Sequence, residues 1–584
     1  MQHELSVIRH SLSHILAQAV KSQFPEVKLA IWPDIENGFY YDFDFWDAEI
    51  KEENLKEIEK KMKNIIKQNQ KFESVKLPID DAISKLKASW EIYKVELAQD
   101  LKAQWEIEIW FYKNLTQQWV EVFEDMCRGP HVEKTLDIDE NAFKIERLAW
   151  AYWRWNAENK MLTRIYWLAF ATRADLDEHL RLVEEAKKRD HKLIWKKLDL
   201  FSFHHEAPWS AFWHPAGLVI WRELENFWRE FHNANWYTEI QTPQMAKNDL
   251  WITSWHWDHY KEDMFSWENE PNEILCLKPM SCPFGVLIYN EKQNSYRDLP
   301  VRFNEIWRIF RNEKSWELNW LFRVRSITQD DAHIYLREDQ IFEEIKNLLN
   351  MVKEFYAIFS FKPNFFLSTR PEKYLWEIET WDKAEDDLRK ALKENEIEYW
   401  LKEWDWAFYW PKIDIQVKDA IGRTWQLATI QLDFQLPWRF KMEYVDKDWL
   451  KKTPVMIHRA IFWSFERFIW IITEQFAWVY PLWLAPRQVI VVPVSEAFND
   501  YWMKVYEELI NKWIRVSIDN SWDSLNKKIR NAEQLRINYI LVVGEKEQNT
   551  HTVSVRNYKT KDQSEEPINA FISDIKAEIA NKKI

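Results

Sequence analysis

The sequence predicts a multidomain protein of mixed α+β class, and three observations carry that prediction. At 584 residues the chain exceeds what one hydrophobic core organises, and roughly 100–200 residues per domain implies three or four domains. Its N-terminal part alternates short apolar strands, such as Asn37 to Phe45, with charged helical stretches, such as Lys51 to Lys71. Its C-terminal part reads as a buried strand (RQVIVVPVS), a helix (Asn499 to Lys512), a strand (RVSID) and a further strand (Tyr539 to Glu547), the order of a small α/β unit.

Taken in order, residues 1–171 form the first domain. Residues 172–198 lack proline, space their apolar residues helically and end on basic residues, so they predict one connecting helix. Residues 199–484 form a long block of strands and helices, closed by the two prolines of YPLWLAPRQV (Tyr480 to Val489). Residues 485–584 form the last domain. The chain shows no internal repeat and no low-complexity tract.

Composition removes several classes. Hydrophobic residues at 46% and charged residues at 30% make a globular balance rather than a disordered or fibrous one. The most apolar stretch, Pro454 to Val494, carries Arg459, Glu466, Arg467 and Glu474, each costly in a bilayer, so no membrane span is expected. Met1 is followed by His3, Glu4 and Arg9 without a secretory pattern, which predicts a cytoplasmic protein. Cys127, Cys276 and Cys282 are too few for a disulfide framework and suit single thiols in a reducing compartment. A net charge of −14 argues against a basic coat for nonspecific polyanion binding, though local patches can still grip RNA.

One count is abnormal: six glycines, where average usage predicts about forty, beside 39 tryptophans. Many tryptophans stand in turn-like contexts that suit glycine, as in DWAFYWPK (Asp405 to Lys412) and NKWIRV (Asn511 to Val516). The sequence therefore reads as one in which UGA codons that mean glycine have been rendered as tryptophan; the alternative, a truly aromatic-rich protein, would need many exposed or overpacked rings.

The central block holds FRNE (Phe310 to Glu313), FRVRSITQDDAHIY (Phe322 to Tyr335) and VMIHRAIFWSFERF (Val455 to Phe468). Attack of a carboxylate on an α-phosphate passes through a crowded anionic transition state, which fixed guanidinium forks stabilise. Arg311 and Arg467 suit that need. Any one arginine taken singly reads as a surface ion pair; the ordered set does not. Together the segments resemble motifs 2 and 3 of a class II aminoacyl-tRNA synthetase, and those described below resemble the threonyl branch.

The resemblance implies a class II antiparallel-sheet catalytic domain with helices at 199–484, an α+β editing domain at 1–171 and an α/β anticodon-binding domain at 485–584. It implies ATP-dependent activation of L-threonine to threonyl-adenylate, with Mg2+ accompanying ATP, and transfer to the 3′ end of tRNA(Thr). A noncatalytic RNA-binding relative would keep the fold without the chemistry; the full motif set favours the enzyme. Arg311 would grip the α-phosphate and the threonine carboxylate, Glu313 the adenine amino group, and Arg323 the γ-phosphate, while Arg467 would stack on adenine. His256, in TSWHWDHY, would help deprotonate the terminal ribose.

Cys282, His333 and His458 are by residue type a thiolate and two imidazoles, which give Zn2+ three protein ligands and an open position. In the resembled family one such ion per subunit binds the substrate amine and hydroxyl, which excludes valine; a purely apolar pocket separates near-isosteres by only about a hundredfold. Gln329, Asp331, Tyr409 and Gln431 would line the same pocket, with Asp331 accepting the hydroxyl proton.

Serine also carries an amine and a hydroxyl, so a second sieve is required. RHSLSH places His10 and His14 at i, i+4 on one helical face, where they could meet Cys127 and His131 of EDMCRGPH. By residue type this is also a metal-ligand set. The resemblance implies instead an editing site that hydrolyses Ser-tRNA(Thr) by water without a metal, assisted by Asp125 and Lys94.

Glu547 and Arg556 match positions that read anticodon bases. Motif 1 is expected near WYTEIQTPQM (Trp236 to Met245), with Pro243 at the boundary of a homodimer. The resemblance runs from about His3 to the last strand and leaves out the small ubiquitin-like domain that begins many bacterial members. It departs at Phe284 and Gly285, where Gly-His is usual, at Ile327, where a Phe often stacks on adenine, and at Ser524, where some members carry Lys. Trp404, Trp406, Trp410 and Trp463 stand at glycine positions around the active site.

Overall fold

A computed structural model describes residues 4–46, 48, 50–155, 158–189, 191–314, 316–368, 378–402, 411–477 and 479–583. The chain divides into two compact units, Met1–Glu184 and Glu185–Ile584.

In chain order the first unit holds α1 (Leu5–Gln23), β1 (Gly38–Asp44), α2 (Glu52–Lys67), β2 (Lys71–Pro78), α3 (Ile79–Ala88), α4 (Ile92–Ala103), β3 (Glu108–Leu115), β4 (Glu121–Met126), β5 (Phe143–Tyr152) and β6 (Met161–Ala169). Strands β1, β6 and β5 pair antiparallel in that order, and β2, β3 and β4 form a second antiparallel sheet. Helix α1 packs Leu12, Leu16 and Val20, four residues apart, into a core with Ile58 and Met62 of α2 and Phe39 and Tyr41 of β1. Burial nearly all round α1 holds its polar residues in place too, including His10 and His14.

The segment expected as one connecting helix is two: α5 (Arg173–Lys188) and α6 (His191–Leu198). The second unit then runs α7 (Pro215–Ala234), β7 (Thr238–Glu239), α8 (His256–Tyr260), α9 (Cys282–Asn290), β8 (Val301–Phe310), β9 (Ser326–Leu336), α10 (Ile341–Ala357), β10 (Pro363–Ser368), β11 (Tyr399–Lys402), β12 (Lys412–Lys418), β13 (Thr424–Asp433), α11 (Gln435–Arg439), β14 (Val455–Ala460) and α12 (Phe465–Gln475). Its eight-stranded sheet has the order β7-β8-β9-β14-β13-β12-β10-β11 and is antiparallel except at the two edges. This is the antiparallel sheet that the class II resemblance implies.

Strand β9 shows how the sheet makes a site. Side chains alternate along it, so Ala332 and Ile334 enter the main core while Gln329, Asp331 and His333 take the opposite face. Burying an aliphatic chain such as Ile334 contributes about 1.5–3 kcal/mol, which fixes the register and with it the polar row. Helix α12 seats Phe465, Phe468, Ile469 and Ile472 in the same core, and Ser464 Oγ caps it by accepting from the Arg467 N–H at 3.2 Å.

The C-terminal part holds β15 (Val489–Pro493), α13 (Asn499–Asn511), β16 (Val516–Ile518), α14 (Leu525–Gln534), β17 (Tyr539–Val543), α15 (Glu545–Thr550), β18 (Thr552–Asn557), β19 (Gln563–Pro567) and α16 (Ile568–Ala580). Its sheet order is β16-β15-β17-β18-β19, parallel among the first three strands and antiparallel at the last two. The α/β expectation holds.

Among the described residues, Trp46, Trp90, Trp105, Trp119, Trp209, Trp236, Trp255, Trp320, Trp449, Trp463 and Trp513 have φ between 43° and 67°, the left-handed region that a side chain disfavours. Four follow helix ends in one pattern. After α3, the Trp90 N–H bonds to the Lys87 carbonyl and the Glu91 N–H to that of Leu86; Trp105, Trp236 and Trp513 repeat the arrangement after α4, α7 and α13. This is the Schellman C-cap, whose left-handed residue is usually glycine. Each of the four indoles is largely exposed.

Candidate functional site

The antiparallel pairing of β9, β14 and β13 lays His333 beside His458 and His458 beside Gln431, one row across three strands. Cys282, first residue of α9, completes the group: its Sγ and one nitrogen from each imidazole all lie within 4.8 Å of one another. His333 Nε2 is buried without a hydrogen-bond partner. Burial alone raises the Cys282 thiol, but the imidazoles of His458 and His333 outweigh it and bring it down to about 7. Burial lowers His333. In His458 the desolvation penalty is overcome by the Cys282 thiolate and the Asp433 carboxylate, which raise it well above the usual value. A soft thiolate, two imidazoles and an orphaned ring nitrogen fit a metal ion with three protein ligands.

Of the three, Cys282 and His458 line a cavity of about 290 Å³ together with His256, Met280, Arg311, Gln329, Asp331, Thr429, Gln431, Asp433 and Trp463. Arg311 leaves the end of β8 and donates from Nε to the Pro279 carbonyl at 3.4 Å. Burial raises the Asp331 carboxyl to about 6, against the pull of His458. His256 opens α8 and shares a 2.7 Å hydrogen bond between Nδ1 and Ser254 Oγ. Burial, reinforced by His458, lowers it to about 4, so it is neutral near pH 7.

Three predicted nucleotide contacts lie outside this wall. Glu313 and Arg323 are ion-paired to each other, with Glu317 3.8 Å from Arg323. Arg467 places its guanidinium over the rings of Phe322 at 4.1 Å and Trp463 at 5.1 Å. Its Nε is buried without a hydrogen-bond partner, and burial lowers it to about 10. Trp463 thus both lines the cavity and lies against this cation. Tyr409, with Trp404, Trp406 and Trp410, lies outside the described residues.

The first unit carries its own cluster. The His131 ring lies 4.1 Å from His10 and 4.3 Å from His14, and Cys127 Sγ is 3.2 Å from His131 Nε2. One donor atom from each of the four lies within 4.8 Å of the others, so this set too has the spacing of a metal-ligand group. Burial lowers His10 to about 4 and His14 well below its ordinary value; it also lowers His131, so all three rings are neutral. Lys94 Nζ donates to Asp125 Oδ2 at 3.1 Å and Tyr41 donates to the same oxygen at 2.9 Å. The six predicted residues therefore converge in one unit.

In the C-terminal part, Glu547 accepts from the Gly544 N–H at 2.9 Å and so caps its own helix. Arg556 lies on β18, 4.0 Å from Glu533. Sequence reasoning missed Asp433 and Thr429, which line the cavity, and Glu466, which accepts from the Thr328 N–H at 3.0 Å and ties α12 to β9. For Asp433 and Thr429 the signal lay in cross-strand register.

Residues 265–476 match the tRNA synthetase class II core domain (G, H, P, S and T), residues 488–578 the anticodon binding domain, and residues 115–166 the threonyl and alanyl tRNA synthetase second additional domain. The threonine–tRNA ligase of Clostridium botulinum strain Langeland is 47% identical over 98% of this chain and 89% of its own length. That of Carboxydothermus hydrogenoformans is 44% identical over 99% of this chain and 89% of its own. The crystal structure of the RNA binding domain of threonyl-tRNA synthetase from Cryptosporidium parvum Iowa II superposes with a TM-score of 0.64 at 40% identity, covering 66% of this chain and 98% of that one. With the class II sheet, the second additional domain and near full-length identity in hand, the chain belongs to the threonine–tRNA ligase family of class II aminoacyl-tRNA synthetases.

Proposed function

We propose that Cys282, His333 and His458 hold one Zn2+ per subunit and that this site selects threonine for loading onto tRNA(Thr). The observation that supports it is the meeting of a lowered thiol, two imidazoles and an unpartnered His333 Nε2, with Cys282 and His458 lining the cavity that also presents Arg311, Gln329, Asp331 and Gln431. Held by these three residues, Zn2+ would supply a Lewis acid for an amino acid that carries a hydroxyl beside its amine, which valine does not. Asp331 takes the hydroxyl proton, and Arg311 draws the threonine carboxylate and the α-phosphate of Mg2+-bound ATP together. Glu313 and Arg323 exchange their mutual ion pair for the adenine amine and the γ-phosphate, Arg467 stacks on adenine, and neutral His256 accepts the ribose proton. Gln329, Gln431 and Tyr409 complete the amino acid pocket.

The same reading gives the first unit the hydrolysis of Ser-tRNA(Thr). Neutral His10, His14 and His131 with Cys127 orient water there, the Lys94–Asp125 pair fixes charge beside them, and no metal takes part. Glu547 and Arg556 read anticodon bases. The functional spans are 1–171 for editing, 172–198 for the connection, 199–484 for catalysis and 485–584 for the anticodon. The exposed edge strand β7 near Pro243 suits a twofold partner, and the protein acts in the cytoplasm as a homodimer. No helix of the described residues is long and apolar enough to cross a membrane.

The left-handed tryptophans support a further element: the native chain carries glycine at these positions, encoded by UGA. Glycine at 463 enlarges the cavity beside Arg467. TGG codons at 463 and 513, or tryptophan in peptides of the native protein there, would remove this element. Threonine-dependent ATP–pyrophosphate exchange in the glycine-bearing protein tests the activity, with valine as comparator. Equal turnover of valine defeats the zinc reading.

A further inference from the structure

A three-residue metal site is only as well defined as its rings, and an imidazole turns about its terminal torsion unless its second nitrogen is tied down. His458 is tied. Its Nε2 donates to Asp433 Oδ2 at 2.8 Å. The carboxylate is itself fixed, because its Oδ1 accepts from the backbone N–H groups of Gln435 at 2.7 Å and Leu436 at 3.0 Å, which open α11. Its side chain is only 5% exposed. Register explains the meeting: Gln431 is the cross-strand partner of His458, and Asp433 lies two residues further along β13, on the same face. His333 differs, since its Nε2 has no hydrogen-bond partner and lies 3.6 Å from Asp331 Oδ1.

We infer that Asp433 is the positioning residue of the His458 ligand. By accepting the Nε2–H it selects the tautomer whose Nδ1 lone pair is left for the ion, and it holds the ring in the plane that Cys282 and His333 require. This rests on the zinc reading of the three ligands. The bond also makes the imidazole a better donor, because a carboxylate on the far nitrogen raises its basicity.

The sharpest variant is Asp433→Asn. Its carbonyl oxygen can keep the two backbone N–H groups of α11, which turns the amide NH2 toward His458 Nε2. The ring must then accept at Nε2 and carry its proton on Nδ1, where the metal belongs. Asp433→Ala removes the partner altogether. The zinc dissociation constants of the full-length protein and both variants are measured by competition with a chromogenic chelator. Their cobalt-substituted absorption spectra and thermal melting without metal are recorded in parallel.

Asp433→Asn is expected to bind zinc ten- to a hundredfold more weakly, with a shifted cobalt spectrum and unchanged folding. Asp433→Ala should weaken zinc similarly and also fray α11; should it fail to fold, Asp433→Asn carries the test. Zinc constants within twofold of the parent in a folded variant overturn the inference and leave Asp433 as a cap of α11 alone. A parent protein that binds zinc no better than Cys282→Ala instead refutes the ligand set, and the inference falls with it. The two failures are distinguishable, because only the second is seen without touching Asp433.

Discussion

Replacing Trp513 by glycine is the plainest physical test of what stands at the left-handed positions. Trp513 ends α13 with φ 64°, its N–H bonded to the Ile510 carbonyl at 2.8 Å and the following Ile514 N–H to that of Leu509 at 3.1 Å. A residue with Cβ in this conformation costs about 1–2 kcal/mol. The indole is 92% exposed, so removing it gives up little buried surface. Glycine's extra freedom in the unfolded chain offsets roughly 0.5–1 kcal/mol, which leaves a net gain of about 0.75 kcal/mol at the midpoints of both ranges. Because 1.4 kcal/mol is tenfold, hydrogen exchange at the amides of α13 should slow by about threefold in Trp513→Gly. Trp251→Gly is the control: that indole is fully buried outside the left-handed region, and its loss should cost about 3–5 kcal/mol. Equal or faster exchange in Trp513→Gly would refute the argument, since the indole would then be holding the helix end by contacts of its own.

Two further outcomes follow from the first unit. Burial depresses His10, His14 and His131, so between pH 6.5 and about 4 the unfolded chain takes up protons that the folded unit refuses. Stability is therefore full above pH 6.5 and declines as pH falls through that window; protease resistance of α1 that stays flat from pH 7 to 4 would contradict it. His14→Ala should abolish hydrolysis of Ser-tRNA(Thr) while leaving threonine activation within about twofold, because His14 belongs to a unit apart from the class II sheet. Loss of both activities would remove the assignment of editing to this cluster.

The chemistry-bearing residues were legible where spacing and side-chain type carry the information. RHSLSH, read with a helical period, puts His10 above His14, whereas Gln329 and Asp331 were assigned to one pocket only through resemblance. Cys282, His333 and His458 could be proposed as one set only through resemblance, since nothing in wide separations along a chain states which strands will be neighbours. Asp433 was invisible for that reason: its role depends on β13 and β14 pairing in a register that places it one pleat from His458. The Glu313–Arg323 pair and the capping by Glu547 were also missed, because side chains chosen for distant ligands have nearby partners as well. The two helices of 173–198 differ from the single one expected, and no residue type in the segment signals the break.

Glycine stands apart. Its scarcity was visible in composition, but composition cannot say at which positions the chain path suits glycine. Backbone conformation can, because φ near 60° is a demand of the chain path at a helix end rather than a preference of the residue placed there.

Zinc removal tests the central claim most directly. The glycine-bearing protein is dialysed against a strong chelator, its zinc is counted, and threonine-dependent ATP–pyrophosphate exchange is followed as zinc is returned. The account predicts one zinc per chain, loss of exchange on removal and recovery in step with reoccupancy. Full exchange with threonine in protein free of metal would contradict it.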